Sequence, residues 1–319
     1  MKTFLKSFII AFVCFTLLIG SAAFAIMKFA DDKQDRLNEY QSSNDEQNSK
    51  PDSKPEAEMT ELEKLIQKSQ RVNILLLGME GPRTDTIILA SFDPKSKNLD
   101  LVSIPRDTYF YSAGYDKLDQ KKINAVYGRS GIKGIMKVAS HVLGGVPIHE
   151  YVKVSYDGVE DIVDSLGGVK VNVPFNMDYD DPYAKPPLHI HLKKGVQTLN
   201  GKKAIQFLRF RKGNNGRGYP DGDLGRIKAQ QQFLMAAMDK ALSFRLPLVA
   251  NTVFKFVKTS MDLSDVIYYA KSAIGIKKEN IKTYRLPGRH KNMGLSYFIH
   301  DPAETEKLMI EIYKRGLEE

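Results

Sequence analysis

The chain has no means of closing a disulfide, because Cys14 is its one cysteine. That residue sits inside an apolar run after Val13, where bacterial lipoprotein processing needs a small residue, and it reads as an apolar side chain facing lipid. There is no GxxxxGK[ST] phosphate loop, no GxSxG elbow, no HExxH and no paired CxxC. The familiar nucleotide-binding, serine-hydrolase and zinc signatures are therefore excluded. Long apolar runs are missing too, with one exception. Residues 8–27, "FIIAFVCFTLLIGSAAFAIM", are uncharged throughout and, at about 1.5 Å per helical residue, match the roughly 30 Å hydrocarbon layer.

That segment predicts a membrane anchor. Lys2 and Lys6 precede it and, apart from Lys28, acidic Asp31 and Asp32 follow, which places residues 1–7 in the cytoplasm and everything after the span outside. The competing reading is a cleaved signal peptide, since Ala23–Ala25 offer small residues to a peptidase. Residues 28–56 are polar and almost free of large apolar side chains, and read as a tether. Charge divides unevenly along the chain. Residues 1–69 hold 9 Lys plus Arg against 11 Asp plus Glu; the remainder holds 38 against 27, or +11. A basic domain beside a membrane favours phosphate-bearing partners, and an outward topology argues against nucleic acid.

From residue 57 to 319 the pattern is that of one domain. Thr60 and Glu63 stand at capping-box spacing before a short amphipathic helix. "VNILLLG" (72–78), "TIILASFD" (86–93) and "LDLVSIP" (99–105) read as strands, the last two joined closely enough for a hairpin. Helical spacing follows near 131–145, at 157–168, 200–211, 226–243, 264–274 and 302–315, interleaved with strand-like "EYVKVSY", "VKVNVPF" and "NIKTYRLPG". The fold class is α/β: a mixed central sheet with helices on both faces.

Arginine and aspartate gather at strand ends. Arg83 and Asp85 lie in "GPRTDT" before one strand, and Arg106 and Asp107 in "SIPRD" after its hairpin partner, so the four are expected at one open end. Glu80 joins that edge if strand 72–78 is the neighbour. Residues 208–226, "LRFRKGNNGRGYPDGDLGR", add Arg209, Arg211, Asp223 and Arg226 among five glycines. Guanidinium forks bond phosphate oxygens in pairs, and carboxylates among them suit Mg²⁺. Lys212 and Arg217 read as solvated surface charges. His189 and His191 share a strand face but have no third ligand nearby in sequence, and read as exposed histidines.

Taken together, "LLLGMEGPRTDTIILASFDPKSKNLDLVSIPRDTY", "KINAVYGRSG", "IVDSLGGVKVNVP", "GVQTLNGKKAIQFLRFRKG" and "DGDLGRIKAQQQF" resemble the successive signatures of the LytR-CpsA-Psr family. The resemblance runs from about residue 71 to 236. It implies an α-β-α sandwich and a phosphotransferase that moves an anionic glycopolymer, such as a teichoic acid, from a polyprenyl diphosphate carrier to peptidoglycan. Carried over by motif, it assigns Arg83, Arg106, Arg209, Arg211, Arg226 and Gln230 to the diphosphate and Asp85 to Mg²⁺. Where the family usually has aspartate in "LGxD", this chain has Glu80 in a shortened loop, which leaves direct ligation by Glu80 open. Asp107 and Asp223 are candidates for a general base. The carrier's tail would occupy an apolar channel, with "FLMAAMDKAL" (233–242) a candidate lining. A non-enzymatic wall-polymer binder and a lipid-diphosphate hydrolase are the alternatives.

Overall fold

The structure is a computed structural model that describes residues 58–184, 187–241, 254–274, 276–315 and 317. The apolar segment 8–27 and the tether lie outside the described residues, among which no helix is long and apolar enough to cross a membrane. From Thr60 onward the chain forms one compact unit.

Helix α1 (Glu61–Lys68) begins with the anticipated capping box: the Glu63 amide donates to Thr60 Oγ1 at 3.2 Å, and the Thr60 amide to Glu63 Oε2 at 2.7 Å. Strand β1 (Val72–Glu80) alternates buried and half-buried residues, and pairs antiparallel with β2 (Arg83–Phe92), which pairs antiparallel with β3 (Leu99–Ser103). Helix α2 (Val126–Val142) leads to β4 (Glu150–Ser155), parallel to β1, and then to α3 (Tyr156–Ser165). Two short antiparallel ribbons come next: β5 (Val169–Val173) pairs with β8 (Gly195–Leu199), and β6 (Met177–Asp181) with β7 (Leu188–Leu192). Helices α4 (Gly201–Arg209) and α5 (Asp223–Ala241) follow, then β9 (Lys258–Thr259) and α6 (Leu263–Ser272). The chain closes with β10 (Ile281–Arg285), parallel to β3, a third ribbon of β11 (Gly288–Asn292) and β12 (Ser296–His300), and α7 (Pro302–Lys314).

The main sheet has the order β10-β3-β2-β1-β4-β9, so it is mixed and β1 and β2 are central. Leu75, Leu77, Ile87, Leu89 and Val102 point to one face, where α2 and α7 cover them with Ile135, Ala139, Val142, Met309 and Ile312. Ile88, Ala90 and Leu101 point to the other, against Leu234, Met235 and Met238 of α5. Helices thus cover both faces, as the interleaved pattern implied. A second core lies between the β5–β8 and β6–β7 ribbons and helices α3, α4 and α5, around Val171, Ile190, Phe207 and Phe233. Removing such side chains from water stabilises by about 1.5–3 kcal/mol each, which makes α5 the shared beam between the two cores.

Three local departures from the sequence pattern matter. Gly81, at φ 57, closes a tight turn with Pro82 that sets Glu80 opposite Arg83, so residues expected in a loop continue the strands. The ribbons β6–β7 and β11–β12 go beyond the sequence expectation, which had only the His189–His191 stretch as a possible strand, because their partner strands β6 and β11 are mostly polar. Helix α2 starts at Val126, earlier than the apolar spacing suggested, and is interrupted at Gly131 (φ 60, ψ −160).

Candidate active site

The β1–β2 ladder contains a bulge close to its turn. Gly78 pairs with Thr86 and Met79 with Thr84, which leaves Asp85 as the extra residue. A bulge re-aims its unpaired side chain; Asp85 lines a polar cleft instead of continuing the sheet's alternation. A Cβ on Gly78 would lie 3.0 Å from Thr86 Cβ, so the absence of a side chain there keeps the two strands close at the bulge.

The cleft has a volume of about 380 Å³. From the sheet come Glu80 and Asp85, and from the turn after β3 Arg106; from the end of α4 and the loop after it Arg209, Arg211 and Lys212; from α5 Arg226 and Gln230; and from β6 Asp181. Five cationic side chains therefore face three carboxylates, and the excess positive charge suits an anion. Arg106 Nη1 donates to Asp85 Oδ1 at 2.9 Å, and Arg209 Nη2 to Glu80 Oε1 at 2.5 Å. The Arg209 guanidinium also lies 4.7 Å over the Tyr156 ring, a cation–π contact that fixes its orientation. Arg226 is buried, and its charge acts on Asp85 and Tyr156.

The two carboxyls have opposite titration behaviour. The hydrogen bond to Asp85, reinforced by burial and like-charge repulsion, raises the Glu80 pKa despite Arg209. Burial works to raise Asp85 as well, but the hydrogen bond from Glu80 and the Arg106 and Arg226 charges outweigh it and hold that carboxyl low. The two carboxyls are thus close enough to hydrogen-bond, and the titration of each depends on the other. Burial, with the Asp85 and Glu80 charges, raises the Tyr156 phenol beyond its ordinary range, so it stays protonated.

Not every residue singled out from the sequence lines this cleft. Glu80, Asp85, Arg106, Arg209, Arg211, Arg226 and Gln230 do. Arg83 instead pairs with Asp119 at 2.7 Å, both half-exposed, and Asp107 pairs with Lys122 at 2.8 Å. Asp223 opens α5, the helix that carries Arg226, and the expectation placed on its carboxyl lies outside the described side chains. Three contributors escaped the sequence reading. Tyr156 looked like the end of a strand, Asp181 belonged to an unrecognised ribbon, and Lys212 was taken for a surface charge. No spacing rule joins Tyr156 and Asp181 to the arginines; the α3 N-terminus and the β6–β7 ribbon bring them there, whereas Lys212 follows Arg211 in the loop after α4.

Beside the cleft lies an apolar cavity of about 270 Å³ between the sheet and helices α3 and α5. Leu76, Ile88, Val154, Ile162, Phe233 and Ala237 are among its walls, and Tyr156, Leu208 and Gln230 belong to both spaces. Of the segment 233–242, Phe233, Leu234 and Ala237 line it, whereas Met235 and Met238 pack on the sheet core.

Similarity searches agree with this architecture. Over 255 residues the chain is 30% identical to the polyisoprenyl-teichoic acid–peptidoglycan teichoic acid transferase TagV of Bacillus subtilis, covering 76% of this chain and 63% of that protein. It is 34% identical over 254 residues to the corresponding transferase TagU of Bacillus cereus, covering 76% and 78%. The crystal structure of B. subtilis TagV superposes with a TM-score of 0.64 at 28% identity, over 78% of this chain and 98% of that one. The match of residues 32–313 to one family model, spanning every element that builds the cleft, establishes that the chain belongs to the LytR_cpsA_psr family.

Proposed function

We propose that the protein is a phosphotransferase that takes an anionic glycopolymer of the teichoic acid class from a polyprenyl diphosphate carrier and joins it to peptidoglycan. The observation that carries the reading is the common wall of the two cavities: an arginine-rich cleft for a diphosphate opens beside an apolar space for a lipid tail, and Tyr156, Leu208 and Gln230 face both. The relatives, named as teichoic acid transferases, favour transfer over hydrolysis or passive binding.

In the reaction an acceptor hydroxyl forms a new O–P bond at the phosphorus attached to the sugar. The P–O bond to the polyprenyl phosphate breaks, that phosphate leaves with the electron pair, and the hydroxyl proton passes through water to the departing phosphate. Phosphoryl transfer needs positioning and charge neutralisation more than covalent help. Arg106, Arg209, Arg211 and Arg226 supply these, with Arg209 held by Tyr156 and Glu80. Asp107, paired with Lys122, lies outside the cleft lining, whereas Asp181 lies within it. The Asp181 carboxylate accepts the Tyr183 and Ala184 amides at 3.0 and 3.1 Å, which fixes its position on the cleft wall.

Glu80 and Asp85 fit a divalent cation. Two carboxyls close enough to share a proton, beside a phosphate site, form the donor set that Mg²⁺ takes together with substrate oxygens. When bound, Mg²⁺ would offset the phosphate charge. The apolar segment 8–27 would hold the domain at the outer face of the membrane, where carrier and acceptor meet.

The test is direct. The full chain is incubated with a short lipid-linked glycan and peptidoglycan fragments, with and without Mg²⁺, and products are read by mass spectrometry. A phosphodiester-linked conjugate is expected; free phosphorylated glycan alone, or no product, overturns the proposal.

A further inference from the structure

We propose that the β6–β7 ribbon carries a second metal site, for a zinc-class divalent ion, built by His189, His191 and Asp180 on the face turned away from the cleft. The sequence offers the two imidazoles at i, i+2 on β7 but no third ligand. The fold provides it across the ribbon, where Asp180 is the register partner of His189 and Asp178 of His191.

Both rings address the same oxygen. His189 Nδ1 lies 2.6 Å and His191 Nε2 3.3 Å from Asp180 Oδ1, and the donor atoms of all three residues lie within 4.8 Å of one another. A tetrahedral zinc ion with ligand bonds near 2.0–2.1 Å separates its donors by about 3.3 Å; the His191–Asp180 pair has that spacing, and rotation of the exposed His189 and Asp180 side chains would bring the other two edges to it. Two imidazoles and a carboxylate select zinc-class ions over Mg²⁺, which prefers an all-oxygen shell. The remaining nitrogen of His191 is also engaged: Nδ1 lies 3.4 Å from Asp178 Oδ1, the carboxylate–histidine arrangement that orients a ligating ring. The four side chains are exposed, so an ion can enter without any rearrangement of the core.

The location gives the ion a task. Side chains alternate along a strand, and while His189, His191, Asp178 and Asp180 share one face, Tyr179, Asp181, Leu188 and Ile190 on the other line the arginine cleft. The Asp180 amide donates to Asn214 Oδ1 at 2.7 Å, and Asn214 Nδ2 donates to the Asp180 carbonyl at 2.9 Å, tying the same strand to the basic loop. An ion bridging β6 and β7 would pin this wall in register without touching the phosphate. Its role is structural.

The test uses the full-length, untagged chain, stripped with chelator and titrated with Zn²⁺. One equivalent is expected to bind, and Co²⁺ in its place is expected to show the intense visible absorption of a tetrahedral site. His189→Gln and His191→Gln, both surface changes, should each weaken binding more than tenfold, and Asp178→Asn about tenfold or more, as for loss of an outer-shell partner. Asp85→Asn in the cleft should leave Zn²⁺ binding unchanged. Hydrogen exchange should slow in β6 and β7 on binding. Absence of stoichiometric Zn²⁺ binding, or binding indifferent to both histidine substitutions, overturns the proposal. Because the readout is metal content, its failure would not bear on the transferase reading.

Discussion

Replacing Arg106 by lysine separates a diphosphate-binding catalytic site from a merely basic surface. The substitution keeps the positive charge, so any attraction that depends on charge alone persists. It removes the planar fork, of which Nη1 is committed to Asp85 at 2.9 Å in a side chain only 20% exposed. Lysine, with one nitrogen, cannot hold Asp85 and present a second donor to a phosphate oxygen in the same fixed geometry. A hydrogen bond to a charged partner contributes about 1.5–3 kcal/mol, and each 1.36 kcal/mol is tenfold in rate. One lost donor therefore predicts a fall in kcat/KM of about 10- to 150-fold. The assay is conjugate formation from a lipid-linked glycan, with the melting temperature followed in parallel to exclude unfolding. Arg217→Lys is the control, since Arg217 borders a different cleft and should stay within about twofold. If Arg106→Lys also stays within twofold, charge alone suffices and the argument from bidentate geometry fails.

The other expectations are more local. Glu80, with its raised pKa, contributes stability that is present at low pH and lost as pH rises through its folded-state value; Glu80→Gln without divalent cation should therefore melt higher than wild type at neutral pH, the gap closing toward the ordinary value of 4.5, as thermal unfolding will show. Ala237→Phe should fill the apolar cavity and raise KM for a long-tailed donor while sparing a short-tailed one in steady-state kinetics. Tyr156→Leu should lower kcat/KM about fivefold through loss of about 1 kcal/mol of cation–π contact, with Tyr156→Phe near wild type. Asp100→Ala should destabilise by about 3–5 kcal/mol in denaturant titration, because it strands Arg71 and Arg315 beside a fully buried position.

Periodicity made β1, α1 and α4 legible because they are half-buried, β1 alternating and each helix presenting one apolar stripe, whereas the buried β2 and β3 were legible as β-branched apolar runs. The ribbon β6–β7 stayed hidden for the opposite reason. "MDYDD" and "LHIHL" bury one or two side chains each, and acidic or histidine-rich alternation carries little hydrophobic contrast. The cleft was half legible. Hairpin logic correctly brought Asp85 and Arg106 together, but it treated the strand end as regular and so placed Arg83 and Asp107 beside them.

The bulge explains that difference. In a regular ladder Arg83 and Asp85 share a face and both would meet Arg106. The residue inserted opposite Gly78 and Met79 breaks the alternation between them, and while Asp85 meets Arg106, Arg83 reaches Asp119. Sequence carries no period for a single extra residue, only a glycine at the point of close approach and a tight turn three residues away. A bulge also costs ladder hydrogen bonds in the most central pair of the sheet, a cost that packing alone does not require. Deleting Thr84 would regularise the pairing but seat Asp85 at the fully buried place opposite Met79, away from Arg106 and Glu80, so the variant should melt lower than wild type and form no conjugate.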